Sequence, residues 1–187
     1  MNEDSFVAWY ALSVRFRAEQ LVSKALGLKD IECFSPSVLS LRRWSDRVKE
    51  IQAPLFPGYV FARFDCRDRL PVLTTQGVVD IVGFGQEYIP VSEVELHTIR
   101  RVLQSRANCE PAPFLQIGQR VTIKSGPLAG IDGFLIEIKR TRRLVVSVSL
   151  LQRSINVELD AEWIIGAPPI WQPVLQRSYG RNFDGRP

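Results

Sequence analysis

Hydrophobic and polar positions repeat with two different periods along this chain, and the change of period divides it. Phe6 to Val14 is short, rich in aromatic and β-branched residues and followed by Arg15 to Arg17, which predicts a buried strand. Ala18, Leu21, Val22, Ala25 and Leu26 then recur at helical spacing up to Gly27, so a helix is predicted from about Arg17 to Leu26. Ile31 to Leu41 reads as a second strand punctuated at Ser35-Pro36, and the polar stretch Arg42 to Glu50 as the exposed tip of a long hairpin. A Pro57-Gly58 turn feeds a third strand with Tyr59, Phe61 and Arg63 on one face and Val60, Ala62 and Phe64 on the other. Both faces are largely apolar, so one packs on helices and the other meets a second layer or forms an aromatic patch for a partner.

A short helix around Asp68 to Thr74, a strand from Val78 to Val82 and a Gly83-Phe84-Gly85 turn lead to the last helix of this half. Ser92 with Glu95 has the spacing of a capping box, and Val91 with Leu96 that of a hydrophobic staple. Leu96, Ile99, Val102 and Leu103 give that helix one apolar face to about Ser105. From Arg106 to Gln116 the prolines Pro111 and Pro113 prevent helix, which predicts a linker. Beyond it the period falls to 2, with short strands expected at Arg120 to Lys124, Gly133 to Lys139, Leu144 to Ser149, Ile155 to Leu159 and around Trp163. The fold expected is therefore α+β: an N-terminal antiparallel sheet flanked by helices (1–106), a linker (107–116), a small SH3-like five-stranded β-barrel (117–165) and a Pro- and Arg-containing tail (166–187).

Composition narrows the chemistry. The longest apolar runs stop well short of the roughly 20 residues that span a bilayer, and the acidic start Met1-Asn2-Glu3-Asp4 lacks the order of an export signal, so a cytoplasmic protein with no membrane partner is expected. Three cysteines, Cys33, Cys66 and Cys109, lie 33 and 43 residues apart beside a single histidine, His97, which offers no CxxC or HxxxH ligand pair. No metal, cofactor or catalytic residue is expected, since phosphate loops, nucleophile elbows and paired-carboxylate motifs are also missing from the sequence. The net charge of +4 is spread thinly: 14 basic against 13 acidic residues in 1–108, 7 against 6 in 109–164, and 3 against 1 in 165–187. Basic residues gather at two predicted tips, Arg42, Arg43 and Arg47 with Lys49, and Lys139, Arg140, Arg142 and Arg143. Such tips are either solvated turns or local contacts to DNA or RNA phosphates.

Several motifs carry a family resemblance. Trp9-Tyr10-Ala11-Leu12, Pro54-Leu55-Phe56-Pro57-Gly58-Tyr59-Val60-Phe61 and Gly77-Val78-Val79 before Ile81-Val82-Gly83-Phe84 resemble the N-terminal domain of NusG-type transcription elongation factors. Gly118-Gln119-Arg120-Val121-Thr122-Ile123, Gly126-Pro127-Leu128-Ala129-Gly130 and Gly133 resemble the KOW motif of that family's C-terminal domain. The resemblance implies docking on the clamp helices of the largest RNA polymerase subunit, through a surface of Phe56, Tyr59 and Phe61 with Tyr10 and Trp9 beside or beneath it. It also implies that the KOW loop and the turn after Val146-Ser147-Val148-Ser149 meet a ribosomal small-subunit protein or Rho, here through Pro127, Leu128, Leu151 and Arg153. That turn reads Leu150-Leu151-Gln152-Arg153 where housekeeping members have an aromatic followed by Gly, and the tail is unusual, so a specialised, monomeric paralogue is expected.

Three functions compete: an antitermination factor for particular operons, a pausing or Rho-linked termination factor, and a KOW-type RNA- or ribosome-binding module. The aromatic N-terminal half speaks against the last. Val145-Val146-Ser147-Val148 is strongly β-prone, which predicts a barrel that keeps its strands and little masking of the first unit.

Overall fold

Residues 7–43, 48–85, 87–114, 119–138 and 141–159 are described by a computed structural model. The first apolar run is β1 (Val7–Val14), and α1 (Glu19–Gly27) follows through a turn in which Arg17 takes a left-handed φ of 60°. The interrupted second run separates into β2 (Glu32–Phe34) and β3 (Ser37–Arg43), with β4 (Val48–Pro54) returning antiparallel to β3 as the expected hairpin. Then come β5 (Tyr59–Asp65), a 3-10 turn at Cys66–Asp68, α2 (Leu70–Leu73) and β6 (Val78–Ile81). Gly83-Phe84, expected as a turn ahead of a brief apolar return at Tyr88-Ile89, is itself β7 (Gly83–Phe84), paired with β8 (Glu87–Tyr88) ahead of α3 (Glu93–Gln104).

Strands β2, β5, β1 and β6 form an antiparallel sheet in that order, with Ala11 opposite Phe61 and Leu12 opposite Val60. Because side chains alternate across a strand, the sheet sends two apolar sets in opposite directions. Leu12, Val14, Val60, Ala62 and Phe64 cluster with Ala18, Val22 and Leu26 of the α1 segment. Trp9, Ala11 and Phe61 cluster with Leu96, Ile99 and Val102 of α3. Leu21, included in the expected α1 stripe, is instead 52% exposed.

The Pro57-Gly58 turn is held from below by Glu19, a buried carboxylate that accepts the Gly58 N–H at 2.8 Å. Gly77 holds the other end of the sheet against α1. Its φ is +97°, and a Cβ there would lie 2.9 Å from Val22 Cγ2 and 3.3 Å from Ala18 Cβ.

Among the described residues the second unit is a five-stranded antiparallel sheet, and one of its strands is not among those expected. Cys109–Pro113, read from sequence as linker, is β9, and it pairs with β13 (Arg153–Glu158) so that Pro111 faces Ile155. The order is β10 (Gln119–Thr122), β11 (Asp132–Ile138), β12 (Thr141–Val148), β13, β9. The prolines ruled out helix but not strand, because β9 is an edge strand, where a missing N–H does not break an inner ladder. The expected strand around Trp163 and the tail 166–187 lie outside the described residues.

Replacing Gly77 with Ala is expected to destabilise the protein by about 2 kcal/mol through the positive φ and the contact with Val22. Chemical denaturation followed by circular dichroism measures it. Burial pushes the Cys33 and Cys109 thiols up to about 11, Glu32 adding to the effect at Cys33. Protons held more tightly when folded than when unfolded mean stability falls as pH rises from the ordinary thiol value of 9.0 towards about 11. An Ellman reagent assay at pH 8 should find both thiols far slower than in the denatured chain.

Candidate functional site: an aromatic face beside a shared helix

On the α3 side of the first sheet the aromatic residues form one connected group. The Phe56 and Phe61 rings meet edge to face at 5.7 Å, and the Phe34 and Phe61 rings lie 6.2 Å apart. Phe56 and Phe61 are fully buried, which corrects the expectation that they form the displayed surface: the sheet is covered on both sides, so both faces of β5 are core. Tyr59, one residue pair earlier on the same face, remains half-buried at the margin of this cluster. Trp9 is buried beneath the guanidinium of Arg100, whose Cζ lies 4.7 Å from the Trp9 ring and 4.9 Å from that of Phe34.

Tyr10 does not share this face. As the next residue along β1 it points the other way, stacks on Phe64 at 5.0 Å and is buried with the α1 cluster, which corrects its placement beside Trp9. Burial, reinforced by Cys66 and Asp65, raises its phenol pKa.

The second unit packs against α3, contrary to the expectation of little masking. The apolar cluster containing Trp9, Phe61 and Ile99 continues into Leu128, Ile131, Leu144, Val146 and Ile155. Glu95 does not close a capping box, since Ser92 makes no side-chain cap. Its Oε1 instead accepts the Ser149 N–H at 3.2 Å and the Ser149 hydroxyl at 2.9 Å. One turn and a half further on, Arg101 Nη2 donates to the Ala129 carbonyl at 2.5 Å. A cleft of about 340 Å³ lies between Val94, Glu95 and Thr98 on the helix and Arg120, Asp132 and Phe134 on the sheet.

A short tether explains the docking. With β9 taking up half of the supposed linker 107–116, only Ser105 to Asn108 separate α3 from the second sheet. Arg106 ends the helix in the left-handed region at φ 57°, and the Ser105 hydroxyl accepts the Ala107 N–H at 3.2 Å. Asn108 is fastened to β13 at both ends: its carbonyl accepts the Glu158 N–H at 2.9 Å and its Nδ2 donates to Glu158 Oε2 at 3.0 Å.

Of the expected KOW contact residues, Leu128 and Leu151 are buried, while Pro127 and Arg153 are exposed. Among the basic residues, Arg143 on β12 pairs with Glu158 of β13 at 3.2 Å and, beyond it, with Glu110 of β9, so it braces those two strands instead of facing solvent alone. Arg42 sits opposite Lys49 in the β3–β4 register and Arg43 opposite Val48; Arg142 sits opposite Glu137. Arg47, Lys139 and Arg140 lie outside the described residues. Two exposed aromatics escaped the sequence reading. Phe16, 83% exposed beneath the Arg17 guanidinium at 4.9 Å, stands between two cations at the end of β1, and Phe84 is 84% exposed in β7. Cation-aromatic-cation spacing in Arg15-Phe16-Arg17 was the available signal for the first.

Among the described residues no helix is long and apolar enough to cross a membrane, and no group of three or more His, Cys, Asp or Glu residues is placed to hold a metal ion.

A two-faced antiparallel sheet carrying an aromatic floor, joined through one helix to a five-stranded sheet, defines a two-unit α+β architecture. The family model for NusG, described as transcription termination factor nusG, matches residues 7–100, half of the chain. The chain therefore belongs to the NusG family. It is similar to the transcription termination/antitermination protein NusG of Thermus thermophilus, 29% identical over 184 residues covering 86% of this chain and 99% of that one. The protein of the same description from Borreliella burgdorferi is 27% identical over 179 residues, covering 84% and 97%. A solved structure described as "Domain interaction in Thermotoga maritima NusG" aligns with 81% of this chain and 92% of its own at a TM-score of 0.47 and 23% identity.

Replacing both Glu95 and Arg101 with Ala removes the two polar ties between the units, each worth about 1 kcal/mol or somewhat more. Hydrogen–deuterium exchange at Gly126–Ile131 and Ser149–Gln152 of the full chain should rise several-fold; unchanged protection would show that the apolar contact alone holds the units.

Proposed function

We propose that this protein is a non-enzymatic regulator of transcript elongation that docks on the clamp helices of the largest RNA polymerase subunit and suppresses pausing and termination, acting on particular operons. The observation that carries this reading is the aromatic face itself, with Tyr59 at its accessible margin and Phe56, Phe61 and Trp9 as a rigid floor. Rigid aromatics bury large areas at low entropic cost, which suits them as anchors. The family match over residues 7–100 covers every one of these residues.

Burial of Leu128 and Leu151 supports antitermination over a Rho-linked role, since neither side chain is displayed for a Rho or ribosomal-protein contact. Nucleic acid is touched locally, with Phe16 stacking on a base and Arg15, Arg17 and the β3–β4 basic residues on phosphates. An added-salt titration should therefore weaken only a minor part of the binding.

In transcription through a terminator by the cognate purified polymerase, the protein should raise readthrough, and Tyr59→Ala should lose polymerase pull-down together with readthrough while its melting temperature stays near wild type. Lowered readthrough would reverse the output to termination. Retained binding by Tyr59→Ala would remove the aromatic face from the interface.

A further inference from the structure

Arg100 occupies an unusual position in the aromatic face. Its guanidinium lies over both Trp9 and Phe34, with Cζ 4.7 and 4.9 Å from their rings. Contacts of this kind use the flat faces of the group and leave its in-plane N–H donors unspent. Glu32 is its carboxylate neighbour, at 3.7 Å from Nη2, and Arg63 shares that carboxylate, also at 3.7 Å. Charge-assisted N–H···O pairs close to about 2.7–2.9 Å when they are made well, so one long-range carboxylate leaves both forks short of acceptors. Arg100 and Arg63 side chains are 36% and 46% exposed. Arg101, one residue further round the helix, turns to the second unit through Ala129, so Arg100 stays available while the two units are packed together.

Resting on the docking function proposed above, we propose that Arg100 is a specificity-determining residue of the aromatic face, and that the polymerase helix seated there presents a carboxylate to it, with Arg63 as second cation. The two stacked rings pin the guanidinium before the partner arrives, so the fork meets the carboxylate with little loss of side-chain freedom. In the free protein Glu32 holds the place of that carboxylate at long range. Lysine in this position keeps the cation over Trp9 but not the fork.

The test measures binding of the full-length protein to cognate core RNA polymerase over a range of salt, with single-stranded DNA as the second probe. Arg100→Gln and Arg100→Lys should each bind polymerase about tenfold more weakly than wild type. Glu32→Gln, at an exposed site and outside the fold's core, should bind severalfold more tightly, because it removes the competing carboxylate. Thermal melts of the Lys and Glu32→Gln variants should match wild type. Lys and wild type binding alike would overturn the proposal, since a cation packed over Trp9 would then suffice. Glu32→Gln tightening on single-stranded DNA but not on polymerase would overturn it in favour of a phosphate ligand. Wild-type protein that binds no polymerase would instead overturn the docking reading on which the proposal rests.

Discussion

The structure depends on α3 being buried from two sides. A twelve-residue amphipathic helix normally covers one layer and leaves its other flank to water. Here Leu96, Ile99 and Val102 belong to a single apolar cluster that begins at Trp9 and Phe61 and ends in the interior of the second sheet. Removing the helix would strip cover from both units at once. Its polar residues follow the same logic: Glu95 and Arg101 reach the second unit, while Arg100 reaches back over Trp9.

This arrangement constrains how the protein acts. The aromatic floor is rigid because it is core, so the docking proposed for Tyr59 and the Arg100 margin would require no rearrangement of Phe56 or Phe61. The apolar KOW residues Leu128 and Leu151 are already spent on internal burial. In the packed state Tyr59 and Arg100 of the first unit stay partly accessible, while Leu128 and Leu151 of the second do not. The four-residue connection, Ser105 to Asn108, keeps the local concentration of the second unit at α3 high.

Much of the first unit was legible in the sequence, because strand and helix periods are local properties. Alternation in Tyr59 to Phe64 assigned the two faces of β5 correctly, and the Val91–Leu96 staple spacing marked the start of α3. What alternation does not tell is whether a face is covered. Phe61 was read as displayed because nothing in its own strand reveals that α3 lies over it. Tyr10 was misplaced for a different reason, since adjacency to Trp9 in sequence means opposition across a strand.

Sequence by itself determined most of the strands and helices of the first unit, which side chains share a face of β5, and the resemblance to the family whose model matches residues 7–100. Those follow from residue volume, polarity and spacing, which act over a few positions. Tertiary structure alone decided that Cys109–Pro113 is an edge strand, that Glu95 serves Ser149 instead of its own helix, and that Arg143 braces two carboxylates. Each of those residues had a satisfactory local alternative. Partners brought close from 54 residues away gave the Glu95 carboxylate two hydrogen bonds, and from 33 and 15 away gave Arg143 two opposite charges, neither of which the local sequence supplied.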